Sequence, residues 1–99
     1  MNMNRLSLSF PLGQTVITRH AHDELHPEDV LSSLRRHATR DWGNLCPADK
    51  AENELSLKHG FRLLSSYTLP DGCKIWVITE AVNEVGLRYC STLLKPEDY

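Results

Sequence analysis

The clearest pattern in the chain lies between Phe61 and Ala81, where large apolar residues alternate with polar ones around a Pro-Asp-Gly turn. Pro70 presets φ for the first turn position, Asp71 tolerates the second, and Gly72 supplies a left-handed residue. This order predicts a type I turn closed by a glycine bulge. Leu69 then faces Cys73, and Tyr67, Ser65 and Leu63 face Ile75, Val77 and Thr79. Side chains alternate between the faces of a strand, so Phe61, Leu63, Tyr67, Leu69, Ile75, Val77 and Ala81 should share the core face. The opposite face carries Arg62, Ser66, Thr68, Lys74 and Glu80, but also Leu64, Trp76 and Ile78.

Before the hairpin the period changes. Leu12, Val16 and Ile17 suggest a short strand ending at Thr18, which could cap a brief helical turn over RHAHDEL. Pro27 opens the first clear helix, because a proline at the first helical position sacrifices no needed N–H. Glu28 and Asp29 suit its positive end, and Arg35, Arg36 and His37 its negative end. Val30, Leu31, Leu34 and Ala38 form its apolar stripe. Arg40 to Asn44 is a loop. Pro47 opens a second helix running to about His59, with a thin stripe of Ala48, Ala51, Leu55 and Leu57. After the hairpin, Asn83 to Gly86 reads as a loose turn, and Arg88 to Leu94 as a last strand stopped by Pro96.

The order β-α-α-β-β-β predicts an α+β fold, with two helices packed on one face of a three- to four-stranded antiparallel sheet. Residues 1–9 read as a flexible N-terminus and 10–99 as a single domain. The length of 99 residues fits one core. A net charge of −2 disfavours nucleic acid as a partner. No apolar run is long enough to span a membrane, and the N-terminus lacks the order of a signal peptide. The three cysteines, Cys46, Cys73 and Cys90, have no metal-type spacing and read as reduced thiols in a cytoplasm.

One resemblance can be placed on particular residues. Asp41-Trp42-Gly43, Asp49 and Asn53, then Ser65 to Ala81, and finally Leu93 to Tyr99 resemble a family of small "plasmid-related" proteins encoded on proteobacterial plasmids and integrative elements. The likeness covers roughly residues 10–99. The chain departs from the family's pattern at Val82 to Leu87, and at RHAHDELH. The resemblance implies an accessory protein of a mobile element and brings no activity with it.

Candidate chemistry is sparse. His22 and His26 would share a helix face at a zinc-compatible spacing, but neither Asp23 nor Glu24 is marked as a third ligand, so no metal and no cofactor is expected. Two helices followed by an antiparallel sheet is also the layout of small ribonuclease toxins of the barnase and RelE kind. His37 or Glu80 would then act as base, with Arg35, Arg36, Arg40, Arg88 and Thr92 nearby. The acidic residues around the helices are too interleaved with cations for DNA mimicry. Binding is the preferred expectation, with catalysis as the alternative. Asp41 and Trp42 in the interhelical loop, and Trp76, Leu64 and Ile78 on the second sheet face, are the candidate binding residues for another protein or a second copy. Packing of Trp42 between helices and sheet, its indole N–H on a loop carbonyl, is the competing account.

Overall fold

The computed structural model describes residues 8–99. Most of the expected flexible N-terminus, residues 1–7, lies outside that range. The elements are β1 (Gln14–Ile17), α1 (Arg19–Glu24), α2 (Pro27–Ala38), α3 (Pro47–His59), β2 (Leu63–Thr68), β3 (Lys74–Thr79) and β4 (Cys90–Leu94), followed by a 3-10 turn (Pro96–Asp98). The class is α+β. The strands form one four-stranded sheet in the order β1-β4-β3-β2.

The sheet is mixed rather than purely antiparallel. β2, β3 and β4 run antiparallel to their neighbours, whereas β1 lies parallel to β4, pairing Gln14 with Cys90 and Ile17 with Leu93. The chain between β1 and β4 runs through three helices and the β2–β3 hairpin, which is ample for the crossover that parallel neighbours require. The hairpin has the expected register, with Tyr67 opposite Ile75 and Leu63 opposite Thr79. Its turn is closed by Leu69 N–H to the Cys73 carbonyl and Gly72 N–H to the Leu69 carbonyl, both at 2.8 Å.

The core face follows from the alternation. Tyr67, Ile75, Val77 and Leu93 are fully buried against Ala21 and Leu25, with Val30 and Leu34 closing over them. A second cluster joins Phe10, Trp42 and Leu63. Phe61 and Ala81, expected on this face, are exposed because the chain leaves the sheet before each strand begins and after it ends.

The helices correct the expected stripes. In α2, Val30, Ser33, Leu34, His37 and Ala38 face inward, an i, i+3, i+4, i+7, i+8 set with two polar members, while Leu31 points to solvent. In α3 the inward residues are Asn53 and Ser56, and Ala48, Ala51 and Leu55 are exposed. The physical reason is position. α3 lies against the outer edge of β2, whose backbone groups need hydrogen bonds rather than apolar contact. The Asn53 amide supplies both: its Nδ2 donates to the Leu64 carbonyl at 2.6 Å and its Oδ1 accepts the Leu64 N–H at 3.2 Å. One residue pair further along, Asn44 N–H donates to the Ser66 carbonyl and Ser66 N–H to the Trp42 carbonyl. The edge is thereby covered, as exposed edges generally must be.

Candidate binding surface

The five expected binding residues separate into two settings. Trp42 is only 4% exposed. It stacks near Phe10 and meets His37 edge-on at 5.6 Å between ring centroids. Its indole N–H donates to a carboxylate oxygen of Glu54 at 2.8 Å, which Arg40 also holds. Asp41 is fixed by Arg36 through two hydrogen bonds, which keep its carboxyl below the usual range, and its carbonyl accepts the Tyr67 hydroxyl. These two residues build the interhelical turn.

Trp76, Leu64 and Ile78 do share the second sheet face. Register sets Leu64, Ile78, Thr92 and Val16 in one row across the four strands. Ile78 is buried, Leu64 and Trp76 half-buried. Tyr99 meets the Trp76 ring edge-on at 5.8 Å, and its hydroxyl accepts from Arg62. The chain's own C-terminus therefore lies along part of this face.

The residues weighed for ribonuclease chemistry are dispersed. His37 is completely buried, and burial, aided by the charge of Arg88, lowers it to about 4. Its Nδ1 lies 2.5 Å from Ser65 Oγ and its Nε2 2.8 Å from Thr79 Oγ1. Thr79 Oγ1 in turn lies 2.7 Å from Ser91 Oγ, which donates to the Leu12 carbonyl. Each hydroxyl has one hydrogen, so this end point orders the whole chain. Ser91 gives its proton to Leu12 and must accept from Thr79, Thr79 must accept from Nε2–H, and Ser65 must donate to Nδ1. A serine beside a neutral imidazole resembles a nucleophile and its base, but neither is reachable. Arg88 gives three of its five N–H groups to backbone carbonyls, Arg36 pairs with Asp41 and Arg40 with Glu54, while Glu80 is exposed.

The histidine-rich segment forms α1, capped by the Thr18 side chain accepting from Ala21 N–H. His22 and His26 are exposed. His20 instead sits between two carboxylates, Nδ1 2.8 Å from Asp98 and Nε2 2.9 Å from Glu24. Asp98 accepts the Thr18 hydroxyl as well, and Lys95 reaches Glu24. Among the described residues no group of three or more His, Cys, Asp or Glu side chains is placed to hold a metal. All three cysteines are free thiols.

Large apolar side chains are also exposed on the turn after β3 and on the segments flanking it. Phe61 is 61% exposed, Val85 76%, Leu87 59% and Tyr89 70%, with Val82 partly exposed beside them. The turn carrying them is closed, not loose. Asn83 Oδ1 accepts the N–H groups of Val85 and Leu87, and Asn83 N–H donates to the Leu87 carbonyl. Gly86, at φ +82°, completes it. Val82 N–H donates to the Gly60 carbonyl, and Arg88 bonds the Phe61 carbonyl, which ties the turn to the start of β2. The sequence signal was Asn83 followed by outward Val85 and Leu87, which polarity alone does not distinguish from a slack loop.

Comparisons of the chain with protein-family models, curated proteins and solved structures find no match. No helix among the described residues is long and apolar enough to cross a membrane.

Proposed function

We propose that this chain is a non-catalytic binding domain whose working surface is the Asn83-centred turn with Phe61, and that its partner is a protein. The observation that carries the reading is the fixed outward presentation of Val85 and Leu87 on the Asn83 turn, with Phe61 and Tyr89 exposed on the flanking segments. Apolar side chains exposed in this way are costly in water unless something covers them. A turn already locked by its own hydrogen bonds loses little freedom when it is covered. Aromatic and aliphatic anchors of this kind dominate protein interfaces.

The resemblance to plasmid- and integrative-element-encoded proteins supports placing this work in the service of a mobile element, inside the cell. Ribonuclease chemistry is disfavoured by the burial of His37 and by the pairing of Arg36 with Asp41 and Arg40 with Glu54. A photo-crosslinking residue at Leu87, compared with one at Leu31 on the far helix, tests the surface in the native host. Crosslinks to one protein from position 87 alone are expected. Equal yields from both positions would overturn the assignment.

A further inference from the structure

Arg88 stands out in the charge distribution. It is 7% exposed, yet it makes no ion pair among the described residues. Nη1 donates to the carbonyls of Phe61 at 2.7 Å and Glu80 at 3.0 Å, and Nη2 to that of Ser56 at 3.1 Å. A guanidinium has five N–H groups. Nε–H and one hydrogen of Nη2 therefore have no partner among the described residues, and such N–H groups suit a carboxylate. Nε is not sealed from solvent, since no fully buried side-chain nitrogen or oxygen among the described residues lacks a partner. Buried charges are ordinarily matched by an opposite charge, because neutral carbonyls repay only part of the lost hydration. Burial here lowers the pKa of Arg88 without an acidic neighbour to raise it.

Arg88 lines a groove of about 450 Å³ together with Ser9 to Pro11, the end of α3 and part of the Asn83 turn. Phe10, Pro11, Leu57 and Val82 give it apolar walls, Lys58 adds a second cation, and among the described residues no acidic side chain lines it. We infer that this groove binds a carboxylate of the partner protein, carried on an apolar segment whose remainder covers the adjoining turn. The inference rests on the binding reading above and gives the partner a chemistry. A carboxylate matches the unspent N–H groups of Arg88, and the apolar walls favour a peptide over a phosphodiester, as does the net charge of −2.

The test is an NMR titration of the whole chain with N-acetyl-leucine, with N-acetyl-leucinamide as the uncharged control, following the Arg88 Nε–H and Gly60 amide resonances. The acid is expected to shift both saturably and to bind roughly tenfold or more tightly than the amide, since hydrogen bonds to a charged group are the stronger ones. Equal binding of acid and amide, or no saturation up to the solubility limit, would overturn the inference. So would tighter binding of a thymidine oligonucleotide at the same resonances. Arg88→Lys removes the fork but also three internal hydrogen bonds, so Lys58→Ala serves as the second variant. It should weaken the acid several-fold at unchanged Tm, and unchanged affinity would also count against the site. Because the titration needs no partner, its failure alongside Leu87 crosslinks removes only the carboxylate. Success without crosslinks removes the partner surface instead.

Discussion

His37 Nδ1 and Ser65 Oγ lie 2.5 Å apart with neither side chain open to solvent. The pair begins a one-way hydrogen-bond chain through Thr79 and Ser91 to the Leu12 carbonyl, tying α2, β2, β3, β4 and the strand-entry loop together. The chain has a correct direction only for a neutral imidazole protonated on Nε2. ¹⁵N chemical shifts should show that tautomer. His37→Leu should cost about 3 kcal/mol in chemical unfolding, because it strands the buried Ser65 hydroxyl and takes from Thr79 the N–H it accepts.

Acid stability follows from the same residue. The folded state holds His37 down at about 4, below its ordinary 6.5. The unfolded chain therefore takes up a proton first as pH falls. The stabilisation from His37 is complete above 6.5 and is lost between there and 4, amounting to about 3 kcal/mol. Urea midpoints across that window should fall in the wild type and flatten in His37→Leu.

His20 slopes the other way. Hydrogen bonds to Asp98 and Glu24 raise its pKa, and both ring nitrogens face carboxylates, which suits only the imidazolium. Its contribution is present below 6.5 and fades as pH rises through the raised value. Asp98 is held down to about 2, chiefly by the Thr18 hydroxyl, and its contribution persists until pH falls below its ordinary 3.8 toward that value. His20→Gln should therefore loosen the Pro96–Asp98 turn at neutral pH, seen as faster amide exchange at Asp98 and Tyr99, with little change in Tm.

Asn53 substitutes for a neighbouring strand along β2. Asn53→Leu keeps the volume but leaves the Leu64 N–H and carbonyl without partners, a loss of about 2–3 kcal/mol. The uncovered edge should also promote self-association. Sedimentation velocity on the variant checks this, with the wild type as reference.

Gly43 sits at φ +74°, and a Cβ there would fall 2.0 Å from the Ser66 carbonyl oxygen. Gly43→Ala should break the contact between the Trp42 turn and the β2 edge, at a cost of at least about 2 kcal/mol. Thermal unfolding followed by tryptophan fluorescence would register both effects.

The hairpin was legible because Pro70-Asp71-Gly72 and the flanking alternation specify one register. The helix starts were legible from Pro27 and Pro47. What resisted reading was polar: Ser33, His37, Asn53 and Ser56 occupy inward helix positions, and a search for apolar stripes passes over them. The parallel pairing of β1 depends on where three helices and the hairpin deliver the chain, which no local pattern records. Trp42 and Ile78 have the composition of interface residues and the burial of core. The Asn83 turn has the composition of a slack loop and the bonding of a fixed one.

The account turns on whether Val85 and Leu87 contact a protein. The direct measurement is affinity purification from the native host with four baits: wild type, Val85→Asp with Leu87→Asp, Trp76→Ala, and Leu31→Asp as a control for added surface charge. The account predicts one protein recovered by wild type, Trp76→Ala and Leu31→Asp, and lost with the paired substitution while that bait remains folded. Recovery of the same protein by the paired variant, or of RNA by every bait, would contradict it.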